Sequence, residues 1–116
     1  MLARIHRFHG YGSLNFVYAR GQTMRTPMLS LRYSLNPKRQ TYRCAVVVGK
    51  KIEKSAVGRN RMRRRIYELI RQNDAKIVEP YDIVVTVFNP TVGQMPATEL
   101  AKAINGLLDQ SGITAK

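Results

Sequence analysis

The apolar positions of this chain repeat with two different periods, and the first of them predicts strands. Residues 28–35, MLSLRYSL, alternate apolar and polar side chains, which is the period of a half-buried strand. Residues 41–50, TYRCAVVVGK, are apolar and β-branched almost throughout their centre. We therefore expect them to form a hairpin with the preceding strand and to lie inside the sheet. Residues 81–89, YDIVVTVFN, predict a further strand, bounded by Pro80 and Pro90.

The second period is that of amphipathic helices. Ser13 is a suitable N-cap for a short helix over LNFVYAR, and Gly21 is suited to the position after its end. Residues 56–73 and 98–110 each carry apolar side chains three or four positions apart, and Gly112 marks the end of the latter. The order is therefore a helix, two or three strands, a helix, a strand and a helix. Taken as α-β-β-β-α-β-α, it predicts an α+β sandwich in which three helices pack on a small sheet of about four strands.

Charge narrows the class of partner. The chain has 20 lysines and arginines against 7 acids, a formal net charge of +13. No acid precedes Glu53, whereas basic side chains are spread from Arg4 to Lys51. This distribution favours a polyanion that contacts several surfaces, as a large structured RNA does. A length of 116 residues suits one compact domain, so we expect a single RNA-binding domain over residues 1–116.

The single cysteine and the hydropathy of the chain indicate the cellular compartment in which it resides. Cys44 is the only cysteine, so neither an intrachain disulfide nor a multi-cysteine zinc site is available, and a reducing, cytoplasmic setting fits best. No run approaches the roughly 20 apolar residues that cross a bilayer, so we expect no membrane partner. The acid-poor, arginine-containing start can also mimic an organelle transit peptide, but residues 13–21 read as a helix of the domain.

The sequence shows no protein active site. The seven acids have no spacing typical of a metal cluster, and no nearby acid orients the imidazoles of His6 and His9. A nucleophile motif, a phosphate-binding Walker loop and a dinucleotide fingerprint are all missing. We therefore interpret His6 and His9 as surface or RNA-contacting residues, and we do not expect the polypeptide alone to be catalytic.

The basic segment of the helix predicted at 56–73 is the most specific signal. Five of the seven positions from Arg59 to Arg65 are arginine, and Glu68 is the only acid of this helix. The planar arginine fork bridges phosphate oxygens and stacks on bases, while Asn60 can reach a base edge or a 2′-hydroxyl. A solvated charged face is the alternative, but such faces usually mix signs, so we favour nucleic-acid binding.

Aromatic and basic residues also alternate on the predicted first helix and strand. Tyr18 lies near Arg20, and Tyr33 lies next to Arg32. Aromatic rings among cations bind single-stranded nucleic acid by stacking on its bases. Packing of both tyrosines at the edge of the core is an equally good interpretation.

In these motifs the chain resembles the protein subunit of bacterial ribonuclease P, which matures the 5′ end of transfer RNA. The family signature is an R-N-R-x-K/R-R helix that follows a lysine pair and an Ala-Val. Matching it here are Lys50, Lys51, Ala56, Val57, Arg59, Asn60, Arg61, Arg63 and Arg64. The family's N-terminal pattern is resembled by Arg7, Phe8, Leu14, Val17, Tyr18 and Gly21. Tyr33 and the segment YDIVV, which includes Asp82, extend the resemblance over nearly the whole chain.

The resemblance implies a function as well as a fold. In the family, a large RNA is the catalyst and uses Mg²⁺, while the protein binds this RNA and the 5′ leader of precursor tRNA, with no obligate protein partner. The residues implied to bind the catalytic RNA are Lys50, Lys51, Arg59, Asn60, Arg61, Arg63, Arg64, Arg65, Tyr67 and Arg71. Those implied to hold the leader are Leu14, Tyr18, Arg32 and Tyr33. A left-handed β-α-β crossover is implied for the fold.

Departures from the family pattern at Leu14, Arg65, Tyr67 and Phe88 predict altered RNA contacts. Composition and charge would equally suit a ribosomal or other structural RNA-binding protein, and only the helix signature and its flanks favour ribonuclease P. A metal-dependent nuclease acting alone is the third hypothesis, and the missing carboxylate cluster disfavours it.

Overall fold

A computed structural model describes residues 21–114 of the chain. In this range it contains four strands, two α-helices and two short 3₁₀ turns. The elements are β1 (Gln22–Arg25), β2 (Leu29–Leu35), β3 (Arg43–Val48), α1 (Ala56–Gln72), a 3₁₀ turn (Asp74–Lys76), β4 (Tyr81–Val87), a 3₁₀ turn (Pro90–Gly93) and α2 (Ala97–Ser111). The α+β class is confirmed.

The number of helices differs from the predicted three, because the described residues contain two. The helix predicted over LNFVYAR, residues 14–20, lies outside them. No helix in the described range is both long and apolar enough to cross a membrane.

The four strands form one mixed sheet in the order β1-β2-β4-β3. Strand β4 is antiparallel to β2 and parallel to β3. The expected hairpin between residues 28–35 and 41–50 is therefore wrong, because β1 and β4 occupy both edges of β2. In the described sheet β2 and β4 are the two interior strands. Of the two strongly apolar strands, β3 and β4, it is β4 that is interior, whereas β3 lies at an edge. Both strands are apolar on two faces, so their sequences did not reveal which one is central.

The sheet has two faces with different neighbours. On the first face, alternate side chains of β2, β3 and β4 form the main core with both helices. Its members include Leu29, Leu31, Cys44, Val46, Val48, Ile83, Val85 and Val87 from the sheet, and Met62, Ile66, Ile70, Leu100, Ile104, Leu107 and Leu108 from the helices. The second face, defined by the other alternate positions, carries Ala45 and Val84, both buried, with Val47 packed against them.

Local interactions fix both ends of α1. The Ser55 hydroxyl oxygen accepts a hydrogen bond from the Gly58 amide at 3.1 Å, which satisfies one of the free donors of the first turn. A Cβ added at Gly58 would lie 2.8 Å from the Glu53 side chain, which would have to shift. After the last turn, the buried Asn73 amide group donates to the Leu69 carbonyl and to the Asn105 side chain, both at 2.9 Å. The latter bond ties α1 to α2.

A buried ion pair joins β3 to β4 on the second face. The Arg43 guanidinium donates to both carboxylate oxygens of Asp82, at 2.8 and 2.9 Å, and the Asn36 amide donates to the same carboxylate at 3.0 Å. Asp82 is 2% exposed, and a buried carboxylate is tolerated when it is paired and hydrogen-bonded in this way. The pair thus fixes the end of the parallel register where Arg43 lies opposite Asp82.

A second polar contact, between Tyr42 and Asp74, predicts how stability depends on pH. Burial, together with the hydrogen bond to Asp74, raises the pKa of Tyr42 above its usual range, and burial raises the pKa of the Cys44 thiol. Both groups lose their proton more easily in the unfolded chain, so their contribution to stability is complete below their unfolded pKa values, about 10 for Tyr42 and about 8.5 for Cys44. It declines as the pH rises beyond those values.

We expect Tyr42→Phe to lower the free energy of unfolding by about 1 kcal/mol at neutral pH, because one hydrogen bond is lost. It should also make the decline above about pH 10 shallower. Urea unfolding between neutral and alkaline pH measures both effects. Tyr81→Phe is the matched control, because its hydroxyl makes no hydrogen bond within residues 21–114. Equal pH profiles for Tyr42→Phe and the unsubstituted protein would contradict the prediction.

Candidate nucleic-acid interface

The predicted basic helix is α1, and its first arginine, Arg59, forms hydrogen bonds to the loop that precedes the helix. One terminal nitrogen of Arg59 donates to the carbonyl oxygens of Glu53 and Lys54, at 2.9 and 2.8 Å. The Glu53 carboxylate in turn accepts from the Ser55 amide at 3.0 Å. These bonds hold the loop that carries Lys50 and Lys51 against the first turn of α1.

Two further arginines of α1 are bonded to side chains of the same helix. Arg63 donates to the side-chain oxygen of Asn60 at 3.0 Å. Arg71 donates from one nitrogen to both carboxylate oxygens of Glu68, at 2.6 and 2.8 Å. The hydrogen bond from Arg71 lowers the pKa of Glu68 to about 2, so this carboxyl stays ionised throughout the physiological range. The C-terminal end of α1 is therefore a balanced ion pair, and the uncompensated charge lies towards its N-terminus.

Arg65 and Tyr67 contact other parts of the fold. The Arg65 guanidinium donates to the Val92 carbonyl at 2.9 Å and also to the Met95 carbonyl, so it anchors the connection between β4 and α2. The Tyr67 hydroxyl oxygen accepts from the Val46 amide at 3.2 Å, on the edge of β3 that faces away from β4. Both side chains are half-buried. The structure gives each a scaffold role that the sequence pattern did not indicate.

Four of the predicted RNA-binding cations project into solvent. Lys50, Lys51, Arg61 and Arg64 are exposed, and none makes a hydrogen bond or ion pair with any residue in the described part of the chain. We call these four the basic face. Their charges are not neutralised by neighbouring acids, so they can bind phosphate oxygens without first breaking an internal contact.

Of the predicted leader-binding residues the structure describes Arg32 and Tyr33, which lie on opposite faces of the sheet. Leu14 and Tyr18 lie outside the described residues. Arg32 pairs with Val84 and lies on the second face, whereas Tyr33 pairs with Ile83 and packs against the core on the first face. The Tyr33 hydroxyl donates to the Gln22 side chain at 2.9 Å, and its ring meets the edge of the Tyr81 ring at 5.8 Å. Adjacent strand residues point to opposite faces, so one ligand site cannot easily include both Arg32 and Tyr33.

Sequence reasoning missed two pairs on the second face. The Arg43–Asp82 ion pair could have been suspected, since each residue is the only charged one of its strand and lies at or next to the start of that strand. The contact between Arg25 and Phe88 joins residues far apart in the chain and has no local signal.

The described residues do not fit a metal site. Within residues 21–114, no group of three or more histidine, cysteine, aspartate or glutamate side chains is placed to hold an ion. On the second face, the polar side chains of Arg43, Asp82 and Asn36 lie together. The Asp82 carboxylate already accepts three hydrogen bonds from the other two. His6 and His9 lie outside the described range.

The mixed sheet, the parallel β3-α1-β4 unit and the basic face define a small, basic α+β protein of the nucleic-acid-binding class. The family model described as Ribonuclease P matches residues 2–112. The chain therefore belongs to the ribonuclease P protein family, as the sequence motifs predicted.

Individual relatives agree with this assignment. The chain is 34% identical over 110 residues to the ribonuclease P protein component of Chloroflexus aurantiacus, which covers 95% of this chain and 80% of that protein. The corresponding protein of a Pseudanabaena species is 38% identical over 80 residues, covering 69% and 67%.

Solved structures show the same fold. The Staphylococcus aureus RNase P protein matches with a TM-score of 0.84 at 19% identity, over 94% of this chain and 97% of that one. The Thermotoga maritima RNase P protein matches with a TM-score of 0.74 at 20% identity, over 84% and 89%.

The division between scaffold and surface arginines is testable with two matched substitutions in α1. We expect Arg65→Met to lower the free energy of unfolding by roughly 1.5–3 kcal/mol, because charged hydrogen bonds to two carbonyls are lost. Arg61→Met should change stability by less than about 0.5 kcal/mol. It should instead make the salt dependence of RNA binding shallower by about one ion. Urea unfolding and RNA titration at several salt concentrations measure these effects, and equal destabilisation by both substitutions would contradict the division.

Proposed function

We propose that this chain, as a ribonuclease P protein component, docks on the catalytic RNA through its basic face and holds the 5′ leader of precursor tRNA elsewhere on its surface. Family membership implies a subunit of a tRNA-processing endoribonuclease. The observation that carries the docking proposal is the exposure of Lys50, Lys51, Arg61 and Arg64 without internal partners in the described residues. Phosphates are the ligands that such an array fits best.

The rigidity of the basic face supports this role. Arg61 and Arg64 stand one turn apart on a helix whose buried side is held by Met62 and Ile66, each 2% exposed or less. Arg59 attaches the lysine-bearing loop to the same helix. The backbone that carries the four cations is therefore held in place, which reduces the backbone entropy lost when RNA binds.

The contribution to catalysis would be electrostatic. Two polyanions, the catalytic RNA and the precursor, repel each other, and bound protein cations replace part of the counterion atmosphere that otherwise screens them. Less Mg²⁺ would then be needed for the precursor to bind. Residues 21–114 offer no cluster of side chains that fits Mg²⁺, so we propose that the RNA holds the ion.

For the leader, the second face of the sheet is the better candidate. Arg32 is half-buried there, beside Val84, and its guanidinium would bind a leader phosphate. Leu14 and Tyr18 stay predicted leader contacts. Tyr33 lies on the opposite face, where its ring and hydroxyl are both engaged by neighbours, so we assign it to packing.

Reconstitution tests the whole proposal. Cleavage of precursor tRNA should be absent with the protein alone, require high Mg²⁺ with catalytic RNA alone, and proceed at lower Mg²⁺ with both. Arg64→Ala should weaken binding of the catalytic RNA and make its salt dependence shallower by about one ion. Lys102→Ala is a matched control, since Lys102 is an exposed cation on α2, away from the basic face.

Two outcomes of this experiment would overturn the proposal. Cleavage by the protein alone would place the chemistry in the polypeptide. An unchanged Mg²⁺ requirement, with RNA binding retained, would favour a structural RNA-binding protein without a role in cleavage.

The assignment of the leader to the second face is tested separately. We expect Arg32→Ala to weaken binding of precursor tRNA by about tenfold, because a charged hydrogen bond to phosphate is lost, and to spare tRNA without a leader. Tyr33→Leu should spare both ligands once its folded fraction is checked by thermal melting. A leader-specific loss in folded Tyr33→Leu protein would show that the leader binds on the first face.

A further inference from the structure

The geometry points to a stacking site for single-stranded RNA formed by Arg25 and Phe88 on the second face. This inference rests on the proposed function and extends it by adding Arg25 as a contact residue and by giving Phe88, a departure from the family pattern, a defined role. The Arg25 guanidinium carbon lies 4.7 Å from the centre of the Phe88 ring. Phe88 is 38% exposed and Arg25 is exposed, so the pair is accessible to a ligand.

Strand register places the pair beside Arg32. Arg25 lies opposite Ser30, which in turn lies opposite Thr86, so these three residues share the second face. Phe88 follows Thr86 by two positions and therefore lies on the same face. Arg32 lies opposite Thr23, two residues before Arg25 on β1. Strand spacings put the Cα atoms of Arg25 and Arg32 roughly 8 Å apart. One strand of RNA can therefore contact both guanidinium groups.

The backbone around the pair is well fixed. The Phe88 amide donates to the Met28 carbonyl at 2.8 Å, which extends the pairing of β4 with β2 by one residue. In the turn between β1 and β2, the Thr26 hydroxyl oxygen accepts from the amides of Met28 and Leu29, at 3.2 and 3.1 Å. After Phe88, the Asn89 side chain accepts from the Thr91 amide at 2.9 Å. Little conformational freedom is left to lose on binding.

The chemistry of the pair suits a nucleotide. A guanidinium that rests on an aromatic ring still presents its other flat side to a base and its rim of N–H groups to a phosphate. No carboxylate in residues 21–114 forms an ion pair with Arg25. A lone exposed phenylalanine would need no explanation. A phenylalanine under an arginine, on the same face as Arg32, is the arrangement by which proteins stack and track single strands.

The test uses the reconstituted complex of protein and catalytic RNA, with precursor tRNA and leaderless tRNA as the two ligands. Phe88→Leu should weaken precursor binding at least about fivefold, without changing the salt slope, because stacking is lost and no charge is removed. Arg25→Ala should weaken it and make the slope shallower by roughly 0.7. Phe88→Tyr keeps a ring and should retain affinity, and Arg25→Lys keeps the charge and should retain the slope. Leaderless tRNA should bind all four variants equally well.

Two substitutions serve as matched controls. Leu35→Ala changes another apolar residue, which is 49% exposed and lies on the first face of the sheet at the end of β2. Arg39→Ala removes an exposed cation from the loop between β2 and β3. Both should leave leader-dependent affinity unchanged.

The inference is overturned if Phe88→Leu resembles Leu35→Ala, if Arg25→Ala resembles Arg39→Ala, or if the losses are the same for leaderless tRNA. In each of these cases the protein can still lower the Mg²⁺ requirement, so the proposed function would stand. If the unsubstituted protein fails to lower that requirement, the proposed function fails first.

Discussion

The burial of one side of α1 against the sheet is the constraint on which the other features depend. Met62, Ile66 and Ile70 are 2% exposed or less, and burial of each such side chain contributes roughly 1.5–3 kcal/mol. A helix that buries this stripe must turn Arg61 and Arg64 outwards, because they lie on the remaining arc of the same turns. The uncompensated cations therefore stay hydrated in the folded chain, and their charge is available to a polyanion without a penalty for burial.

The arginines of this helix divide into two groups by what their N–H donors reach. Arg59 and Arg65 donate to backbone carbonyls that no helix or strand satisfies, and they thereby hold the two loops that flank the helix. Arg61 and Arg64 make no such hydrogen bond to any residue from 21 to 114. The guanidinium group suits both uses because it carries five donors in a rigid fork. A run of arginines is thus partly a scaffold, and charge density alone overstates the surface offered to RNA.

The two faces of the sheet separate the surfaces that the proposed function needs. The first face carries the helices, so Arg61 and Arg64 of the basic face project from the side of α1 that is turned away from the sheet. The second face carries Arg25, Arg32 and Phe88. A protein with cations on opposite sides can lie between two polyanions and reduce the repulsion of each for the other. The Arg43–Asp82 ion pair strengthens the sheet between these surfaces by fixing the register of β3 against β4.

Periodicity in the sequence was enough for the α+β class, the helices near 56–72 and 97–111, and the strands near 29–35, 43–48 and 81–87. The family followed from the resemblance of the motifs. These features depend on neighbouring residues, whose side chains repeat at 3.6 or 2.0 positions. Other features depend on contacts between distant residues. They are the strand order, the interior place of β4, the short strand β1 and the partners of Arg65, Tyr67 and Phe88. Only the tertiary structure decided them, because hydrogen-bonding edges and guanidinium donors fit many partners equally well until packing brings one of them within reach.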